Sequence, residues 1–308
     1  MSICVFGIFV ADICFFADSI PVAGQTILGD KYMIGPGGKG SNQAIAAARA
    51  GGEVSFISKL GRDNYADLAI SLYKDTGINY DGLEIEENES TGSAGIFINR
   101  KTGENAINVV PGAAGTIGKN LIDKSLSIIK NSKIFLTQLE TPKDVTLYAL
   151  KEAKSQNCIT ILNPAPSSEI PDDYFQFFDF FTPNETEASF YFNKPVENED
   201  GCKDAGKFFL EKGVKNILIT LGEKGCYFKN NDEEFLIPAS KLNKPVVDTT
   251  GAGDAFNGAL SVALSQNKTY KQSIEFANLV AGISVTKEGA ANSMPTKKEI
   301  EESIKWVI

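Results

Sequence analysis

The stretch Asp248-Thr249-Thr250-Gly251-Ala252-Gly253-Asp254-Ala255-Phe256 sets a carboxylate on a glycine-rich turn that opens an apolar helix. Such a turn directs several backbone N–H groups, and the positive end of the helix dipole, at one point where an anion can settle. An aspartate at the end of the turn can take the proton of a hydroxyl that attacks phosphorus. Asp254 is therefore the candidate general base, and the backbone N–H groups of the turn are the candidate anion site. The chemistry is that of a kinase.

A second glycine-rich segment, Gly35-Pro36-Gly37-Gly38-Lys39-Gly40-Ser41-Asn42-Gln43, also leads into a helix. Gly35, Gly37 and Gly40 satisfy the dinucleotide spacing GxGxxG, but the segment lies outside the first βαβ unit, and the next strand ends in Ser58-Lys59 where a ribose-binding acid is needed. A phosphate loop fails as well, because Lys39 is followed by Gly40 and not by Ser or Thr. What remains is a close backbone approach to a small polar ligand, with Lys39 and Asn42 suited to vicinal hydroxyls.

Other candidates stand at strand ends. Asp12 follows the first strand, and Glu140 closes an apolar strand before a helix begun by Pro142; either alone reads as easily as a structural or solvated charge. Asn184-Glu185-Thr186-Glu187 opens a helix and by itself reads as an N-cap with acids favoured by the dipole. Thr220-Leu221-Gly222-Glu223-Lys224-Gly225 reads equally as a hairpin turn or as a loop edging a nucleotide.

Composition narrows the chemistry further. With no histidine in 308 residues, acid–base work falls to carboxylates, lysines or cysteines. A net charge of −9 argues against a nucleic-acid partner, whose phosphates demand a basic surface. No apolar run approaches the roughly 20 residues of a membrane span, and the first residues run directly into a strand pattern without a basic leader. Five cysteines without CxxC spacing fit reduced thiols in the cytoplasm better than a disulfide or zinc framework.

The elements that must hold these residues alternate. Strands are expected at 3–9, 26–34, 54–58, 133–138, 159–162, 178–181, 216–221, 225–228 and 234–237. Helices are expected at 39–50, 63–76, 119–131, 142–157, 185–192, 202–212, 252–265, 271–286 and 296–306. Strands alternating with helices predict a mainly parallel sheet covered on both faces, with ligands at the carboxyl ends of its strands. Segments 93–99 and 104–110 form a hairpin around Arg100-Lys101-Thr102-Gly103. Residues 10–34 and 93–110 fit neither the parallel core nor a separate domain, so residues 1–308 are read as one α/β domain with a small β-sheet lid that keeps water from the phosphoryl group.

Taken in order, Gly37-Gly38-Lys39-Gly40-Ser41-Asn42-Gln43, Asn184-Glu185-Thr186-Glu187, Thr220 to Gly225 and Asp248 to Asp254 closely resemble the ribokinase-like carbohydrate kinases; Asn163-Pro164-Ala165-Pro166 and Val285-Thr286-Lys287-Glu288-Gly289-Ala290 extend the likeness over essentially the whole chain. The resemblance implies a Rossmann-like three-layer α/β sandwich with a β-lid that packs against a second subunit. It also implies transfer of the ATP γ-phosphate to a pentose 5-hydroxyl. Asp254 then matches the catalytic base and the N–H groups of Gly251, Ala252 and Gly253 the anion hole; Val10, Asp12, Gly38, Lys39, Asn42 and Glu140 match sugar-binding positions. Asn184, Thr220, Gly222, Gly225 and Asn278 match nucleotide contacts, and Glu187 matches the acid that organises Mg²⁺. Asp248, Thr250, Ser284, Lys287, Gly289 and Ser293 align with a monovalent-cation site, where potassium would shape the anion hole.

One departure bears on the substrate. The family typically carries an asparagine two residues before the sugar-binding aspartate, where this chain has Val10. An apolar residue there resembles the 2-deoxyribose kinases, while Asp12, Lys39, Asn42 and Glu140 are retained as for ribose. Ribose is thus the first expectation and 2-deoxyribose the second, with a catalytically idle sugar sensor as the alternative of a different class.

Overall fold

The computed structural model describes residues 2–242 and 244–307. In chain order the strands are β1 (Ser2–Phe6), β2 (Val10–Ala17), β3 (Lys31–Gly37), β4 (Glu53–Gly61), β5 (Asn79–Glu86), β6 (Thr91–Asn99), β7 (Asn105–Gly112), β8 (Ile134–Thr137), β9 (Ile159–Leu162), β10 (Phe180–Phe181), β11 (Asn216–Thr220), β12 (Cys226–Lys229) and β13 (Glu234–Ile237). The helices are α1 (Lys39–Arg49), α2 (Asn64–Thr76), α3 (Lys119–Lys124), α4 (Leu126–Lys130), α5 (Lys143–Ser155), α6 (Glu185–Phe192), α7 (Glu199–Glu211), α8 (Ala252–Ser265), α9 (Tyr270–Ser284) and α10 (Lys297–Val307). Among the described residues the strands form a nine-stranded sheet, β13-β12-β11-β10-β9-β8-β1-β4-β5, and a four-stranded one, β3-β2-β6-β7. The large sheet is parallel except at β11–β12–β13.

Strand periodicity explains the layers. In β1, Ile3 and Val5 enter one core with residues of α1, α2, α8 and α9, while Cys4 and Phe6 enter the other with residues of α3, α4, α5 and α7. Because successive side chains point to opposite faces, a central strand buried on both sides must be apolar at every position; Ile3, Cys4, Val5 and Phe6 are all fully buried. The result is a three-layer α/β sandwich.

Several boundaries differ from the sequence pattern, each for a physical reason. β5 escapes periodicity because Gly82 interrupts it and its outward residues are acidic; it is an edge strand held to β4 by Lys59, which lies opposite Glu84 and pairs with it at 3.0 Å and with Glu86 at 3.4 Å. The strand expected at 26–34 lies instead at Lys31–Gly37, since its register with β2 runs from Lys31 opposite Phe16 to Gly37 opposite Val10. Pro36 is tolerated there because β3 is an edge. The helix expected over 119–131 divides at Ser125, whose ψ of 4° leaves the helical range.

The four-stranded sheet carries Phe15, Tyr32, Ile34, Phe97, Ile107 and Val110 as exposed large apolar side chains. That is more exposed apolar surface than a sheet covered by its own chain would show.

Candidate active site

Two helix N-termini meet at the carboxyl ends of the central strands. α1 approaches β1 so closely that a Cβ on Gly40 would sit 2.6 Å from Cα of Gly7, so only glycine lets Lys39 and Asn42 reach the strand ends. α8 is opened by Gly251, whose φ of 77° is the left-handed conformation that turns the chain into the helix. Asp254 lies in the first turn of α8 and is 6% exposed.

The carboxylate of Asp254 is clasped by two side-chain amides. Asn42 Nδ2 donates to Oδ2 at 3.0 Å and Gln43 Nε2 donates to Oδ1 at 2.9 Å. Both donors come from the first turns of α1. Below the anion turn, Ala252 N–H reaches back to Thr249 O at 3.2 Å, whereas the N–H groups of Gly251, Gly253 and Asp254 have no acceptor among the described residues. Three free N–H groups at a helix N-terminus suit an anion.

A cavity of about 170 Å³ opens at this point, lined by Lys39, Asn184, Glu187, Thr220 and the 251–254 turn. The segment at Asn184 is joined to Thr220 by an isolated parallel bridge, and Asn184 and Glu187 form a reciprocal capping box at 2.8 and 2.9 Å that fixes the Glu187 carboxylate. Gly222, Gly225 and Asn278 lie outside the cavity lining. Asn278 Nδ2 donates to Pro238 O at 3.2 Å, while Gly225 packs against the 237–239 backbone, so the two brace the same loop.

On the other side of Asp254 stand the remaining acids. Glu140 Oε2 accepts the Lys39 backbone N–H at 2.8 Å, and the Asp12 carboxylate fills the space that a side chain at Gly37 would occupy. Val10, 3% exposed, packs into the apolar cluster between the sheets. In β2 it lies opposite Gly37 and Gly92, and the missing side chain of Gly92 leaves room for its methyl. Gly38, with φ of 86°, joins β3 to α1 beside Ile8 and Val10.

Electrostatics follow from burial around one cation. Asp254, then Glu140 and Glu187, hold the Lys39 ammonium above its ordinary pKa against the desolvation that opposes it, so it stays charged. Burial, with the Asp254 charge second, pushes Asp12 up to about 6. Burial lifts Glu140 to about 7 although Lys39 pulls the other way, and burial also raises Glu187.

The remaining candidates join two loops behind the anion turn. Asp248 accepts from Thr250 N and Gly289 N, each at 2.9 Å, and these bonds outweigh burial to lower its pKa. Val285 O accepts from the N–H groups of Val247 and Asp248 at 2.8 and 3.2 Å. The Ser284 and Ser293 hydroxyls donate to Ala281 O and Ala290 O, and Lys287 turns to Glu299 at 2.8 Å. The Asp248 carboxylate and the Val285 carbonyl at this junction are oxygens, the donor type that a hard cation takes.

Gln43, Gln138, Asn163, Thr182, Thr249 and Asn257 were not assigned from sequence, yet they line the cavity or back the base. A usable signal exists for two of them: Gln43 opens the buried run Ala44-Ile45-Ala46-Ala47, and Asn257 interrupts the buried run from Ala255 to Leu260.

Comparison with known proteins bears on the family and the fold. The model of the pfkB family carbohydrate kinases matches residues 1–297. A ribokinase of Haemophilus influenzae is 37% identical over 279 residues, covering 91% of this chain and 90% of its own, and a deoxyribokinase of Salmonella typhimurium is 34% identical over 303 residues, covering 98% of each. The Arabidopsis thaliana ribokinase solved with ribose and ATP superposes with a TM-score of 0.91 at 30% identity, covering 98% of each chain. The chain belongs to the pfkB family of carbohydrate kinases and has its Rossmann-like fold.

Proposed function

We propose that the chain transfers the γ-phosphate of ATP to the 5-hydroxyl of a pentose, ribose first and 2-deoxyribose second. The observation that carries this reading is that a clasped carboxylate, a charged lysine and unpaired helix-terminal N–H groups converge on one cavity. Asp254 accepts the hydroxyl proton, and the N–H groups of Gly251, Gly253 and their neighbours in the turn stabilise the charge of the migrating phosphoryl group. Lys39 counters negative charge at the same point. Asp12, Gly38, Asn42 and Glu140 hold the sugar hydroxyls, and Asn42 Oδ1, buried without a hydrogen-bond partner, is available to one of them. Asn184, Thr220, Gly222, Gly225 and Asn278 frame the nucleotide. The relatives named ribokinase and the ribose- and ATP-bound Arabidopsis structure support this assignment.

Glu187 fits a Mg²⁺ ion that is held mainly by phosphates and water, as one fixed carboxylate suffices for that mode. The oxygens around Asp248, Thr250, Ser284, Lys287, Gly289 and Ser293 would hold potassium, which when bound adds positive charge behind the anion turn. The test is ADP release with ribose and ATP, with and without potassium. Turnover that rises with potassium is expected, and sugar binding without turnover would remove the kinase assignment.

Val10 deepens the substrate reading. A ribose 2-hydroxyl set against its methyls is left unpaired, at a cost of about 1–3 kcal/mol, which 2-deoxyribose avoids. The deoxyribokinase relative is in keeping with this. Val10→Asn is expected to raise the ratio of kcat/KM for ribose over 2-deoxyribose about tenfold; an unchanged ratio would take Val10 out of sugar selection.

The exposed apolar face of the four-stranded sheet fits a second copy of the chain, which supports a lid-to-lid homodimer. Sedimentation at micromolar concentration should give twice the 33.2 kDa chain mass, and a monomer would reject the pairing. All five cysteines are unpaired, in keeping with a cytoplasmic setting.

A further inference from the structure

Behind Asp254 lies a chain of buried side-chain amides whose direction is fixed from one end. Thr182 O is a backbone carbonyl and can only accept, so Asn163 presents Nδ2 to it, at 3.1 Å. Asn163 must then turn Oδ1 toward Gln43, and Gln43 must answer with Nε2, at 3.0 Å. The second hydrogen of the same nitrogen points at Asp254 Oδ1, 2.9 Å away. Gln43 Oε1 is meanwhile occupied by Gln138 Nε2 at 2.6 Å. Flipping the Gln43 amide would set Oε1 against a carboxylate and against Asn163 Oδ1, and Nε2 against Nε2 of Gln138. One orientation alone satisfies all three neighbours.

This arrangement separates Gln43 from Asn42. Asn42 also donates to Asp254, but its own Oδ1 is left without a partner, so a substrate hydroxyl can draw on it. Gln43 is fully buried with every polar hydrogen and its oxygen committed within the protein. A parallel branch leads from the same residue: Thr182 Oγ1 donates to Asn257 Oδ1 at 2.7 Å, and Asn257 Nδ2 donates to Gly253 O at 2.9 Å. The end of β10 thus anchors both the base and the carbonyl of the anion turn.

We propose that Gln43 is the positioning residue of the phosphoryl transfer, holding the Asp254 carboxylate in its reactive orientation whether or not sugar is bound, with Asn163 and Thr182 O fixing the polarity of its amide. This rests on the assignment of Asp254 as base. Gln43 touches neither substrate nor phosphate, and its effect passes through Asp254 alone.

The experiment is a double-mutant cycle with a pH profile. Gln43→Met keeps the volume and removes the donor; it is expected to lower kcat about 10- to 100-fold with the sugar KM little changed, and to have no further effect in an Asp254→Asn background. Gln43→Glu places a second carboxylate against the base, and the acid limb of its kcat profile is expected to move up by a pH unit or more. Asn163→Ala, which frees the Gln43 amide without touching Asp254, is expected to lower kcat in the same background-dependent way and serves should Gln43→Glu fail to fold. Equal losses in both backgrounds, or a Gln43→Glu profile that overlays that of the unmodified protein, would overturn the proposal. Unmodified protein that turns over no pentose would instead remove the kinase assignment, so the two failures are distinct.

Discussion

Asp254→Asn is expected to lower turnover by about 10²–10⁴-fold, the usual yield of a positioned base, while sugar affinity stays within a few-fold of the original. The substitution keeps the shape of the side chain but removes its capacity to accept a proton. It also sets an amide N–H₂ against one of the two donors, Asn42 Nδ2 or Gln43 Nε2, that now clasp the carboxylate. On the proposed assignment the loss is confined to turnover, because Asp12, Glu140 and the α1 backbone are given the sugar hydroxyls and make no hydrogen bond to the side chain of residue 254. Steady-state kinetics combined with calorimetric sugar binding separates the two effects. Turnover within tenfold of the unmodified protein would show that the hydroxyl needs no base at this position.

Glu140→Gln is expected to move sugar capture and stability in opposite directions. A hydroxyl bonded to a charged acceptor is worth about 1.5–3 kcal/mol, or about 10- to 150-fold in kcat/KM, and most of that is lost with the charge. Stability should rise instead. Burial lifts the Glu140 carboxyl from its ordinary 4.5 to about 7, so between these values the folded protein holds a proton that the unfolded chain has released. Stability therefore falls as pH rises through that window, and at pH 8 the ionised side chain costs on the order of 3 kcal/mol. That cost is already net of the attraction of Lys39, so a gain of up to about 3 kcal/mol, several degrees in Tm, is expected at pH 8 and little at pH 5. For the unmodified protein, kcat/KM for sugar should fall as pH drops through 7 and then 6, when Glu140 and Asp12 take up protons. A Tm for Glu140→Gln that is lower at pH 8 than that of the unmodified protein would contradict this account of its burial.

The parts of the site that could be read from sequence are those written locally. Gly251 precedes Asp254 by three residues, and one turn of helix is enough to relate them. Asn184 and Glu187 are likewise related by the three-residue spacing of a capping box. The alternating core was legible because a strand buried on both faces must be apolar throughout, as β1 is. What could not be read depends on partners far away in the chain. Gln43 meets Gln138, Asn163 and Asp254 across 95, 120 and 211 residues, and no periodicity records such pairs. β5 is held by Lys59 opposite Glu84, and β3 takes its limits from β2, so neither shows the alternation by which strands are recognised.

β3 ends at Gly37 and α1 begins at Lys39, with Gly38 the sole residue between them, while the neighbouring β2 bears Asp12. Roof and grip are thus one uninterrupted length of polypeptide. Any tilt of the smaller sheet is transmitted through a one-residue joint to Lys39 and Asn42, the groups proposed to grasp the carbohydrate. On the proposed function, shutting out solvent and seizing the acceptor would be mechanically a single act, and a change on the outer side of the roof would be felt in how firmly the sugar is held before it is felt in the chemical step.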